Sequence, residues 1–233
     1  MVGAFEGFVG TCSGFGGKYN PGQQNLQVKS LTQKLQEARQ AIERVRVARS
    51  LLDQLTNQRA DAYAQLSRLA TRVINRLGAV QASPRTMEDA RSLVRQIWGV
   101  RLRERVPVES EAAEAKRTRS VLQTSFASQA DHLAKLVQLL RDEPRYQVDD
   151  PALTTDALRA MVVTLQQLNT RVMQATVAWR TAVQARNVVL YTGTDSMVDM
   201  ARLVKMYVKA IFGARSEEYA ALAGYAFAKP PIR

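Results

Sequence analysis

The amino-acid sequence predicts an all-α protein, an elongated antiparallel helical bundle in which two long rods, over about residues 24–77 and 151–190, carry shorter helices. Three observations predict it. No glycine or proline interrupts the chain between Gln23 and Leu77. Through that tract apolar side chains return every three or four positions, at Leu31, Leu35, Ala38, Ile42, Val45, Leu52, Tyr63, Leu66, Ala70, Val73 and Leu77, the spacing with which one face of a helix meets its neighbours. The pattern recurs at Leu158, Met161, Leu165, Leu168, Val172, Ala175, Trp179, Ala182 and Val189. At 1.5 Å per residue the first tract alone would reach roughly 80 Å as one helix, so the expected shape is a rod.

Each element has its own start and stop signals. In the first rod, Arg49, Thr56 and Arg59 stand where the seam should be apolar, and such polar insertions fix register or oligomeric state at some cost in stability. Gly78 closes the rod and Ser83-Pro84 opens the next helix, since proline suits a first helical turn. That second helix covers about Thr86 to Trp98 and stops at Gly99. An arginine-dense link follows, and a third helix is expected from about Ser110 to Asp142, with Glu111 and Glu114 at its positive end. Asp150-Pro151 caps the second rod, which also carries an arginine, Arg186, in its seam. Gly193 turns the chain. Ser196 and Asp199 are spaced as a capping box for a fifth helix ending at Gly213, and Ser216 starts a last short helix released by Gly224.

The first 22 residues read differently. They hold seven of the twelve glycines, interleaved with Phe5, Phe8, Phe15 and Tyr19, a backbone without a folding preference of its own carrying large rings. The expected organisation is therefore a glycine- and aromatic-rich N-terminal arm over 1–22, a helical bundle over 23–224 and a C-terminal tail over 225–233.

Composition excludes more functions than it suggests. With 33 lysines and arginines against 21 acids, the chain carries a formal charge of +12. Twenty-five of those bases are arginines and eight are lysines. The balance suits an acidic partner, and it equally suits bidentate ion pairs at a protein interface. Cys12 and His132 are the sole residues of their kinds, so no internal disulfide and no His/Cys zinc site can be built. No phosphate loop, dinucleotide fingerprint or nucleophile elbow occurs, and paired acids such as Asp149-Asp150 and Glu217-Glu218 sit where helix capping explains them. An enzyme is not expected, nor is a metal or a cofactor. No 18-residue apolar run and no secretory leader is recognisable, which makes the cytoplasm the default expectation and leaves non-standard export open. Helix five pairs Arg202, Lys205 and Lys209 with Leu203, Tyr207 and Phe212, the composition of a membrane-surface helix, although packing of that face into the body is the commoner use.

An internal echo links Asp89–Arg101 with Met200–Arg215. Each piece follows a long rod and ends in isoleucine, an aromatic residue, glycine, a small or aliphatic residue and arginine, which suggests a long-plus-short helical unit used twice. The pattern Asn187-Val-Val-Leu-Tyr191, Val198-Asp199, Val204-Lys-Met-Tyr-Val-Lys209, Phe212-Gly213, Ser216 and Glu218-Tyr219, together with Ala130–Asp150 and Ile97-Trp98-Gly99, resembles a group of uncharacterised bacterial helical proteins, many from Bacteroidetes. The resemblance covers about half of the sequence. It implies an all-helical body and a bacterial source, and no activity.

The function these features point to is structural: self-assembly into a homo-oligomer or filament through helix packing and the N-terminal arm. An arm that docks on the next copy makes a heterologous contact, and such contacts generate rings or filaments. Candidate self-association residues are Phe5, Phe8, Phe15 and Tyr19 with Tyr225 and Phe227 of the tail. The alternative is a basic, nucleoid-type protein that binds nucleic acid without sequence preference, and its candidate contacts to an anionic partner are Arg101, Arg103, Arg105, Arg117 and Arg119.

Overall fold

A computed structural model describes residues 1–99 and 125–229, and every described element is helical. The fold class is all-α. Eight α-helices are described: α1 (Val2–Gly14), α2 (Val28–Ala64), α3 (Leu66–Ala79), α4 (Pro84–Ile97), α5 (Phe126–Asp142), α6 (Thr155–Asn187), α7 (Met197–Phe212) and α8 (Glu217–Ala223). Only Gln65 separates α2 from α3, and a π-turn at Val188–Thr192 prolongs α6. The two expected rods are these elements. The start of the third helix expected near Ser110 lies outside the described residues.

The chain separates into two compact units, Met1–Leu52 with Ala175–Arg233, and Asp53–Gln174. Both α2 and α6 contribute residues to each unit. Inside either unit the two run antiparallel. In the first, Asn25 bonds Asp195 and Arg49 lies over Trp179. In the second, Asn169 bonds Tyr63 and Arg72 pairs with Asp150.

The second unit is built as the apolar periodicity requires. Tyr63, Leu66, Ala70, Val73 and Leu77 are all buried, together with Ala90, Val94 and Ile97 of α4, Leu133, Leu136 and Leu140 of α5, and Leu158, Val162 and Leu165 of α6. Local bonds fix the helix ends. Ser83 accepts from the amide of Thr86 at 3.1 Å, Ser125 from Ser128 at 3.2 Å and Thr154 from Ala157 at 3.2 Å, each cap contributing about 1 kcal/mol. Arg76 donates to the Gln147 carbonyl at 2.9 Å through Nε, and Tyr146 donates to that of Leu153 at 2.9 Å. These two contacts close the loop before α6 over α3, so the loop is part of the core's rim.

In the first unit the expected arm is corrected. Residues 1–22 are mainly helix α1, and Phe5, Phe8, Val9 and Cys12 on one of its faces are buried in the chain's own core beside Leu31, Leu35, Met197, Met200, Ala201 and Val204. Magnitudes explain why so glycine-rich a segment is helical. Its four glycines cost about 1 kcal/mol each relative to alanine. Complete burial of Phe5 and Phe8 returns about 1.5–3 kcal/mol per ring, and Val9 and Cys12 add to that. The tail closes over the same rings: Phe227 meets Phe5 and Phe8 edge-on at 5.9 and 5.5 Å, and Tyr225 meets Phe8 at 5.8 Å. A Cβ on Gly7 would lie 2.9 Å from the Tyr225 hydroxyl, so here glycine makes room for the tail.

Helix α7 is set by two devices. Gly193 is pressed against the π-turn, where a Cβ would stand 2.9 Å from the Val188 carbonyl oxygen. Ser196 then accepts from the amide of Asp199 at 3.3 Å. Leu203, Tyr207 and Phe212 pack against the core of the first unit, and Lys205 donates to the Tyr225 carbonyl at 2.5 Å. That face of helix five is thus turned inward.

The internal echo survives at the stop signals and is lost in the packing. Gly99 and Gly213 both take positive φ, 71° and 94°, the left-handed stop that glycine allows. Ile97 is fully buried, whereas its counterpart Ile211 is 59% exposed.

Candidate functional site

The six rings expected to join sister molecules are brought together by this chain itself. Phe5, Phe8 and Tyr19 are buried; Phe15, Tyr225 and Phe227 are half-buried against them. Tyr19 donates its hydroxyl to the Leu26 carbonyl at 2.7 Å and lies edge-on to Tyr207 at 5.6 Å, and Phe15 contacts Phe212 at 5.9 Å. In this chain the six rings pack against one another and the core of the first unit. Arg101, Arg103, Arg105, Arg117 and Arg119 lie outside the described residues.

Cys12 sits under this aromatic layer. Burial pushes its thiol up to about 12, with its own backbone pulling weakly the other way, so near neutral pH it is an inert thiol. His132 belongs to the second unit. Burial and then Lys135 lower its pKa, and its buried Nδ1 has no hydrogen-bond partner. Among the described residues no group of three or more His, Cys, Asp or Glu could hold a metal ion, and no helix is long and apolar enough to cross a membrane.

The described surface of the first unit has a different candidate. An open groove of about 430 Å³ lies between α2 and α6, with Ala48, Val47 and Leu51 on one side and Ala175 and Ala178 on the other. Val47 is 60% exposed and Leu51 47%. They stand one helical turn apart and therefore share a face. The alanines keep the floor shallow, so another helix can approach the backbone closely. Charge frames the groove: Glu43 and Arg44 line it, and Glu43 pairs with Arg46 at 3.4 Å on the exposed side. Beside it, Arg49 lies over the Trp179 ring at 5.2 Å, which gives the first polar interruption of the seam an aromatic partner.

Sequence reading missed this groove because it followed one seam. Val45 and Leu52 belong to that seam, and Val47 and Leu51 are apolar residues in excess of it. A helix that pairs on one stripe has no intramolecular need for a second, and that surplus is the signal that could have found them. Neither a protein-family model, a curated protein nor a solved structure matches the chain.

Proposed function

We propose that this chain is a structural protein that associates with copies of itself through the open groove of the first unit. The observation that carries the reading is the pair Val47 and Leu51, large apolar side chains left about half-exposed over an alanine floor. Isolated exposed apolar residues need no explanation. Two of them on one helical face above a groove are the pattern with which helices take a further helix as partner.

A second copy suits the groove because its rim carries both signs. A twofold contact sets the same patch against itself, and with Glu43 beside Arg44 each acid can then face a base. The energy is modest. Covering the exposed part of Val47 and Leu51 yields about 1 kcal/mol each, or about 4 kcal/mol over both copies. Such a contact depends on protein concentration and gains strength when repeated along an assembly.

The test is a paired substitution, Val47→Glu with Leu51→Glu, followed by light scattering and sedimentation over a concentration series. Both positions are exposed, so helicity by circular dichroism should be unchanged while the average mass falls to that of the monomer. If the variant assembles as the original does, or if the original is monomeric throughout the series, the reading fails. The alternative of nucleic-acid binding rests on arginines outside the described residues, and no described feature favours it.

A further inference from the structure

We propose that the second unit carries a binding site for a small organic monocarboxylate with an apolar body, its carboxylate held by Arg59. The site is an open cavity of about 660 Å³ whose walls are mainly apolar, with Phe126 and Met173 among them. That size falls in the range of small-molecule pockets, which combine apolar walls with a few fixed polar groups.

The polar groups available there can be counted by elimination. Four polar side chains line the cavity: Arg59, Ser125, Asn169 and Thr170. Ser125 is engaged as the cap of α5, and its hydroxyl also shares a hydrogen with that of Ser128 at 2.9 Å. Thr170 donates to the Gln166 carbonyl at 3.0 Å. Arg59 and Asn169 remain. Asn169 donates its Nδ2 to the Tyr63 hydroxyl at 2.9 Å, and that hydroxyl donates to the Phe126 carbonyl at 2.6 Å. The chain fixes the amide and leaves Asn169 Oδ1 buried without a partner, as is Arg59 Nε. An unsatisfied buried polar atom costs about 1–3 kcal/mol, and here a donor and an acceptor are orphaned at one cavity.

Arg59 decides the sign of the ligand. Its guanidinium lies over the Phe126 ring, with Cζ 4.2 Å from the centroid, and it makes no ion pair with a described carboxylate. That contact anchors the planar fork at the cavity, and a guanidinium fork suits a carboxylate. One arginine matches one negative charge. The apolar wall toward Met173, which is 62% exposed at the rim, matches an aliphatic or aromatic body, and Asn169 Oδ1 is the acceptor for a hydroxyl on such a ligand. Tyr63 stays a neutral phenol, since burial raises its pKa, so it adds no charge opposed to the ligand's.

The inference is independent of self-association and is tested on the full chain with decanoate, decanol and acetate as probes, by titration calorimetry. Decanoate should bind saturably with one site per chain. Arg59→Gln should weaken it tenfold or more while leaving the affinity for decanol within twofold. Acetate, which has the charge without the body, should bind at least tenfold more weakly than decanoate. Met173→Glu is the second variant: its site is exposed, so the fold is preserved, and a carboxylate at the rim should weaken decanoate tenfold. The proposal is overturned if decanoate shows no saturable binding, if acetate binds equally well, or if Met173→Glu binds decanoate as the original chain does.

Discussion

The two units solve the same problem, the burial of helix faces, with different material. The second is assembled from aliphatic stripes on its helices, where Leu66, Val73, Leu77, Leu133, Leu136 and Leu158 belong to one buried cluster. The first is closed by the chain's two ends, with rings from α1 and the tail laid over the methionines and valines of α7. In an aliphatic layer each residue contributes a similar increment, and its period is visible in sequence. In the aromatic closure a few large rings carry most of the burial, and their partners lie at the far end of the sequence, as Phe227 does for Phe5 and Tyr207 for Tyr19. The first unit should therefore be the more sensitive to loss of a single side chain.

The largest expected effect tests that difference. Phe8→Ala removes a fully buried ring contacted by Phe5, Tyr225 and Phe227, and should cost about 3–5 kcal/mol; Leu133→Ala in the second unit should cost about 2–5 kcal/mol. Hydrogen exchange separates the outcomes. Phe8→Ala should accelerate exchange mostly among residues 1–52 and 175–229, and Leu133→Ala mostly among 53–99 and 125–174. Equal acceleration of both sets by either variant would mean that the division into units has no energetic counterpart.

The same contrast shows what the sequence made legible. Every residue of the first seam from Leu31 to Leu77 is buried or half-buried, and Ser83, Ser196 and Ser216 cap the helices they were expected to cap, whereas Asp150 caps only a short turn at Pro151–Leu153 and Thr154 caps α6 in its place. Those features follow from local spacing. Helix α1 does not, because its propensity is overridden by rings that pack against residues far along the chain. Its signal was present in Phe5, Phe8 and Cys12, three and four positions apart, and was masked by the glycines between them. At the candidate sites, Arg59 was recognisable as a polar intrusion in the seam. Asn169 was not, since an asparagine on a long helix becomes informative only when its hydrogen bonds are known.

A smaller effect sharpens the comparison through pH. Cys12 ordinarily titrates near 9.0 and is pushed by burial to about 12, while Tyr146 of the second unit ordinarily titrates near 10.0 and is also pushed to about 12. A raised folded pKa stabilises below the ordinary value and loses that contribution as pH climbs toward the folded one, because the unfolded chain releases its proton first. Between pH 9 and 10 the first unit should therefore lose up to about 1.4 kcal/mol per pH unit through Cys12, whereas Tyr146, whose ordinary value lies one unit higher, gives the second unit a shallower loss over the same interval. Denaturation monitored by unit-specific exchange should show this window. Cys12→Ala should remove the cysteine's share of the slope, and an unchanged slope would assign it to another group.

The finest distinction lies between the two faces of α1. At Gly7 a Cβ would strike the Tyr225 hydroxyl at 2.9 Å, and at Gly10 it would meet nothing within 4 Å. Alanine at an exposed helical position stabilises by about 0.5–1 kcal/mol over glycine, so Gly10→Ala should raise stability by that amount. Gly7→Ala should forfeit the same gain, because Tyr225 is held by Phe8 and lies 3.3 Å from the Thr11 hydroxyl and cannot retreat without giving up those contacts. The measurement is the denaturant midpoint of each variant at constant m-value, with tyrosine fluorescence reporting the tail. Equal stabilisation by both would show that the tail yields readily and that α1 and the C-terminal strap are less tightly joined than the ring geometry requires. A stability lower for Gly7→Ala than for Gly10→Ala by about 0.5–1 kcal/mol would place the tail's grip in that one missing methyl.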